Sequence, residues 1–231
     1  MDEWREIAGQ TLLERFGMTE VLMALSNPYQ PVEGRLKGCV GTPLPGVEAS
    51  LLQLADDVAE GQERDLLPAD SLEQGELLVR GTSVFDRYLN KPEATAKEFH
   101  TDTNGQKWFK TGDCAERDAN GIYSIKGRLS ADIIKKGGYK ISALDIEAVL
   151  LTHPDVDEIC VLGLPDEKYG DEIGALVVGK DSLTSEELEA FARDKLSSYK
   201  VPRIWKFRDS IPRNQMGKIN KKQVRVDYND L

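Results

Sequence analysis

The sequence predicts an α+β protein in two parts: a barrel-like remnant of antiparallel β-strands, then a compact C-terminal domain whose elements run βαββαβ. Two observations carry this. Up to about residue 128 the apolar residues come in short β-like runs punctuated by glycine and proline, and helical capping signals with helical periodicity gather only after Gly138. A third is the charge, with 14 basic and 23 acidic side chains over 1–132 but a near balance of 16 and 17 over 133–231.

In the first part the strand-like runs are GCVGTPLPGVEASLLQL from Gly38, GELLVRGTSVF from Gly75 and GIYSIKGR from Gly121. Between the first two, Asp56 to Glu76 holds eight acidic residues opposed only by Arg64 and is expected to be a solvated loop. The second part opens with a strand at Tyr139–Ile141. A helix follows from Ser142 and Asp145 in capping-box spacing, expected to bury Leu144, Ile146, Val149 and Leu150 and to stop at His153-Pro154. Strands are expected at Glu158–Leu164 and Gly174–Val178. The next helix starts at Thr184 with Glu187 three residues on, placing Leu188, Phe191 and Ala192 at helical spacing, and a last strand lies near Ile204–Phe207. This second part is about 95 residues, a size that folds alone.

Composition narrows the function. With 231 residues, 40% hydrophobic and 30% charged, the chain can bury substantial cores, and its net charge of -10 gives no global support to nucleic-acid or anionic-membrane binding. No apolar run approaches the roughly 20 residues of a membrane span, and MDEWREIAGQ lacks the features of a secretory signal. Cys39, Cys114 and Cys160 are scattered and odd in number, so they read as reduced intracellular packing thiols, not disulfide or zinc ligands. His100 and His153 are isolated, and Ser83 and Ser210 lack a nucleophile-elbow context. Lys221, Lys222 and Arg225 are expected on the exposed face of a short terminal helix.

Four segments are denser in glycine, hydroxyl and charge than folding requires: ERFGMTE (14–20), KTGD (110–113), GRLSADIIKKGGYK (127–140) and PRNQMGK (212–218). Singly, each reads as a turn or a loop: Gly112-Asp113 a turn pair, Gly137-Gly138 a hairpin connection, Gly217-Lys218 a loop with a solvated lysine. Together and in this order they resemble the adenylate-forming superfamily of acyl-CoA synthetases, luciferases and peptide-synthetase adenylation domains. The resemblance covers residues 10–225, including the GELLVRGTSVFDRYLNKPEAT stretch. Within it, GMTEVLMALSNPY, GTPLPGVEA, SADIIKKGGYKISALDIE and IPRNQMGKINKK are most similar to malonyl-CoA and methylmalonyl-CoA synthetases.

The resemblance implies a large AMP-binding domain ending near 128, a hinge at 129–132 and a small mobile domain over 133–231. It implies ATP, Mg²⁺ and coenzyme A as cofactors or co-substrates and a small carboxylic acid as substrate. The acid attacks the α-phosphorus of ATP, releasing pyrophosphate, and the thiol of coenzyme A then displaces AMP. By matching positions, Lys218 supplies the cation for the first step, and Phe16 lies on adenine. Thr19 donates to phosphate, Glu20 holds Mg²⁺, Asp113 accepts the ribose hydroxyls and Arg128 adds a nucleotide contact. Gly138 and Tyr139 line the coenzyme A loop, where the absence of a side chain lets backbone approach a ligand.

The spacing from Arg128 to the Gly-Tyr pair is one residue longer than in many relatives. That leaves the pivot open among Leu129, Ser130, Ala131 and Asp132, and Lys135 open between a surface and a catalytic role. A dicarboxylate needs a cation for its distal end, and Arg35 is the candidate, with an ordinary loop arginine as the alternative. The family's upstream phosphate loop has no counterpart in the thirteen residues before Glu14, so the chain is expected to be the C-terminal portion of a synthetase. A noncatalytic fragment, or a relative loading a carrier-protein thiol, are the alternative functions. An animal member would be mitochondrial, another cytoplasmic.

Overall fold

The computed structural model describes residues 2–229. The chain forms two compact units, Met1–Ile125 and Lys126–Leu231, dividing three residues earlier than the sequence suggests. The division falls inside a strand, which hides it from patterning.

The first unit begins with helix α1 (Asp2–Ala8) and the strands β1 (Arg15–Met18), β2 (Leu22–Ser26), β3 (Thr42–Pro43), β4 (Val47–Leu52) and β5 (Gly75–Gly81). Helix α2 (Pro92–Lys97) leads to β6 (Phe99–Thr101), β7 (Lys107–Arg117) and β8 (Tyr123–Arg128), the last crossing the division. β1-β2-β3 make a small antiparallel sheet. A larger one runs β4-β5-β7-β6 with β8 also on β7. Strand β5 is buried on both faces: Leu77 and Val79 join Leu25, Leu51 and Phe109, while Leu78 points the other way into a cluster with Leu52 and Trp108.

The acidic stretch is less of a solvated loop than its composition implies. Leu67 is buried and donates its N–H to Leu51 at 2.7 Å, and Arg64 crosses to Glu76 at 2.7 Å and to the Gln53 carbonyl at 2.6 Å. Arg64 and Leu67, with the Leu52–Leu66 bridge and the Gln53–Asp65 bonds, fasten the segment to the sheet.

The second unit contains β9 (Ile133–Lys136), β10 (Tyr139–Ser142), α3 (Ala143–Leu150), β11 (Val156–Asp166), β12 (Gly170–Gly179), α4 (Ser185–Lys195), β13 (Ile204–Phe207) and α5 (Lys221–Asn229). The order is β10-β9-β12-β11, with β13 parallel to β12. The βαββαβ series is present, preceded by β9 and followed by α5. Strand β9 forms because Gly137 and Gly138, at φ +57° and +83°, fold it back on β10, a turn only glycine makes without strain.

Both helix starts form as the capping signals indicate: Ser142 accepts from the Asp145 amide, and Thr184 and Glu187 complete a reciprocal capping box. The buried face of α3 is Ala143, Ile146 and Leu150. Leu144 is 37% exposed, contrary to expectation, because it lies about 100° around the helix from Ala143. Strands β11 and β12 bury both faces. Ile159, Val161, Ile173, Ala175 and Val177 meet α3 and α4, while Cys160, Leu162, Leu164 and Leu176 meet Val224 and Tyr228 of α5. The unit is thus three layers, with the sheet between a helix pair and a single helix.

Candidate active site

In the first unit the ERFGMTE segment is the β1–β2 hairpin. Gly17 is required there, since a Cβ at that position would sit 2.2 Å from the Leu22 carbonyl oxygen. The tight approach leaves Thr19 and Glu20 in the connecting turn, with Thr19 exposed and Glu20 half-buried. The Glu20 carbonyl accepts from the Phe85 amide at 2.8 Å, and its Oε1 accepts from the Tyr88 hydroxyl at 2.9 Å. Burial, helped by that carboxylate, pushes the Tyr88 phenol up to about 12, so it stays a donor. Phe16 is half-buried against the core.

The KTGD segment is not a turn. It lies within β7 as a bulge, for Leu78 pairs with Lys110 and Glu76 with Cys114, so three residues of β7 face Leu77 alone. Gly112 takes φ +73° to make the kink. Thr111, 2% exposed, donates to the Leu77 carbonyl at 2.9 Å and accepts the Asp113 amide at 3.1 Å. Asp113 is buried at 6% exposure on this re-aimed backbone.

The loop after SNPY is organised by Asn27, which sequence reading passed over. Its Nδ2 donates to the Cys39 carbonyl at 2.6 Å and its Oδ1 accepts from the Leu36 amide at 3.1 Å. Arg35 braces the same loop: its guanidinium donates to the carbonyls of Pro28 at 3.2 Å, Thr11 at 2.5 Å and Tyr29 at 2.8 Å. These three bonds give Arg35 a part in holding the loop. They use three of the five N–H donors a guanidinium carries.

In the second unit Arg128 ends β8, and its amide donates to Asp132 Oδ2 at 2.8 Å. Gly138 occupies the open tip of the β9–β10 turn, where an added Cβ would meet nothing within 4 Å. Tyr139 is 58% exposed and stacks on Tyr199 with ring centroids 4.8 Å apart. Lys218 stands exposed on a loop shaped by Asn214, whose Oδ1 accepts the amides of Met216 and Lys218, both at 3.0 Å. Arg213 adds a bond to the Gly217 carbonyl at 2.8 Å.

Lys221 corrects the sequence-based reading of a solvated basic face. Its ammonium is buried between Asp132 Oδ1 at 2.7 Å and Glu147 Oε1 at 2.8 Å. Burial alone would lower its pKa, but the two carboxylates outweigh that and hold it above the usual lysine range. Nothing local in KKQVR reveals this, since both partners lie far upstream. Tyr88 lies in the GELLVRGTSVFDRYLNKPEAT stretch, where nothing local singles it out. Phe16, Thr19 and Glu20 thus share one hairpin, Asp113 lies on the larger sheet of the same unit, and Arg128, Gly138, Tyr139 and Lys218 lie on separate loops and ends of the second unit.

Loops and a bulge held by internal hydrogen bonds thus present these polar side chains. Residues 1–89 match the family profile "AMP-binding enzyme" and residues 145–218 the profile "AMP-binding enzyme C-terminal domain". The mouse protein "Malonate--CoA ligase ACSF3, mitochondrial" is 47% identical over 97% of this chain and 39% of its own length. Among solved structures, ATP-bound MatB from Rhodopseudomonas palustris superposes with a TM-score of 0.82 at 34% identity, over 99% of this chain and 43% of that one. The o-succinylbenzoate CoA synthetase MenE from Bacillus subtilis, in complex with its acyl-adenylate intermediate, gives 0.79 at 31%, over 97% and 43%. The chain belongs to the adenylate-forming AMP-binding enzyme family and is related to its malonyl-CoA synthetases. It spans about two fifths of the length of these relatives.

Proposed function

We propose that the chain is the part of an AMP-forming acid–CoA ligase that holds the nucleotide and carries the mobile lysine, acting on malonate or methylmalonate. The observation that carries this is the Lys218 loop: an exposed ammonium presented on a backbone fixed by Asn214 and Arg213. Negative charge gathers where a carboxylate approaches the α-phosphate, and a cation already held in place lowers that barrier without reorganising.

In this reading the acid oxygen bonds to the α-phosphorus and the bond to pyrophosphate breaks. The coenzyme A sulfur then bonds to the acyl carbon and AMP leaves. Asp113, buried on its bulge, accepts from the ribose hydroxyls, Arg128 contacts the nucleotide, Phe16 lies on adenine, and Thr19 donates to phosphate. Glu20 suits one ligand of Mg²⁺: Tyr88 takes only Oε1, and magnesium commonly uses one or two carboxylates with phosphate oxygens. The ion would neutralise phosphate charge when bound. The glycine-rich β9–β10 turn, with Gly138 and Tyr139, faces coenzyme A. The pivot lies within 129–132, between an AMP-binding part over 1–128 and a mobile part over 133–231.

Arg35 remains the candidate for a distal carboxylate through its two further N–H groups, while its other three keep the loop in place. The mitochondrial naming of the mouse relative supports a mitochondrial place for an animal member. No helix among the described residues is long and apolar enough to cross a membrane. Comparing malonate with acetate in the whole ligase tests the acid. Arg35→Ala is expected to impair malonate use more than acetate use, and an equal effect on both removes Arg35 from acid recognition.

A further inference from the structure

The proposed mechanism leaves Lys221 unused, although it is the centre of a buried charged cluster. Its ammonium has three N–H donors and meets three acceptors: Asp132 Oδ1 at 2.7 Å, Glu147 Oε1 at 2.8 Å and the Val161 carbonyl at 3.0 Å. A buried ion cluster is a poor way to gain stability compared with apolar packing, but it fixes position tightly.

Its connections give that fixing a purpose. Asp132 closes the Arg128–Asp132 turn twice, by its own amide to the Arg128 carbonyl at 2.8 Å and by Oδ2 to the Arg128 amide at 2.8 Å. Its other oxygen holds Lys221. Just before Lys221, the Lys218 loop is closed by the Arg213–Ile219 bridge and by the Asn220 amide on the Pro212 carbonyl at 2.9 Å. Two residues, Ile219 and Asn220, therefore separate Lys218 from a residue anchored by charge to the turn that contains the proposed pivot.

We infer that Lys221 is a positioning residue: through Asp132 it ties the Lys218 loop to the end of the Arg128–Asp132 turn, so that Asp132 and the loop move as one body. The inference rests on the proposed role of Lys218 in acyl-adenylate formation. A lysine serving only to neutralise two carboxylates would support both half-reactions equally. A tether to the Lys218 loop acts on adenylation, where misplacement by about 1 Å can cost on the order of 10²-fold.

The test uses three variants. Lys221→Arg keeps the charge. Lys221→Met removes the tether but strands two carboxylates, and the triple change Lys221→Met, Asp132→Asn, Glu147→Gln removes it without stranding charge, so that a folded variant is available. In the full chain, amide exchange at Met216–Lys218 is expected to quicken by at least about tenfold in the triple variant and to recover in Lys221→Arg, while α4 amides stay unchanged. In the whole ligase, pyrophosphate release is expected to fall by on the order of 10²-fold, with thiolysis of preformed acyl-adenylate within about threefold of wild type. Unchanged loop exchange, or equal loss of both half-reactions, overturns the tether. If Lys218→Ala leaves pyrophosphate release intact, it is the proposed role of Lys218 that fails, and the exchange data still decide whether the tether exists.

Discussion

The bulge that presents Asp113 depends on one buried hydroxyl, and Thr111→Val removes it with little change of shape. The hydroxyl donates to the Leu77 carbonyl at 2.9 Å and accepts the Asp113 amide at 3.1 Å. With Thr111 only 2% exposed, water cannot replace it at either group. Each buried group deprived of its partner costs about 1–3 kcal/mol, so the pair costs about 2–6 kcal/mol. Thr111→Ser keeps both bonds and loses one methyl, about 1 kcal/mol. Native-state hydrogen exchange of the β5 and β7 amides reads the first unit by itself. At about 1.4 kcal/mol per tenfold, protection is expected to fall roughly 30- to 20,000-fold for valine and about fivefold for serine. In the whole ligase the valine variant is further expected to bind ATP more weakly, because the Asp113 backbone is no longer held. A valine variant as well protected as the serine one would refute the reasoning.

Other consequences follow from single contacts. Thr184→Ala breaks the capping box of α4 and is expected to lower the stability of the second unit by about 1 kcal/mol, with Thr184→Ser close to wild type, as read by exchange of the α4 amides. The Asp102 carboxyl is held below the usual carboxylate range, chiefly by the Trp108 indole N–H at 2.9 Å and also by the amides of Gln106 and Asn104. Because the folded value is the lower one, its stabilising contribution is complete above the ordinary carboxylate range and disappears as pH falls through the depressed value. Urea midpoints of Asp102→Asn between pH 7 and pH 3 are therefore expected to be lower at neutral pH and to change less on acidification than those of wild type. A parallel acid profile would contradict this.

Legibility in the sequence followed the range of the interactions. Helices α3 and α4 announce themselves because their caps are local: Ser142 with Asp145, Thr184 with Glu187. The Gly137-Gly138 turn is equally local, although Ile133–Lys136, reading Ile-Ile-Lys-Lys, is short and without alternation and does not declare β9 without its partner. KTGD reads as a turn because Gly112 does adopt a left-handed conformation; only the hydroxyl bond to Leu77, 34 residues upstream, makes it a bulge within a strand. Leu144 was misplaced because an eight-residue helix offers little periodicity from which to choose its buried face. Lys221 shows the limit most clearly: in a polar terminal helix a lysine reads as solvated, and its burial is visible only once Asp132 and Glu147 have been brought to it by the fold. The order and composition of the four motif segments carried the family, whereas the supporting residues Asn27, Tyr88 and Lys221 act through distant partners and leave no local signature.

The central claim is that Lys218 serves the joining of a carboxylic acid to AMP, and malonate-dependent exchange of labelled pyrophosphate into ATP by the whole ligase tests it most directly. Wild type is expected to exchange with malonate, and Lys218→Ala to lose on the order of 10²-fold of that rate while still converting preformed malonyl-adenylate to the coenzyme A thioester. Exchange that survives the loss of Lys218, or a variant that loses both steps alike, would contradict the account.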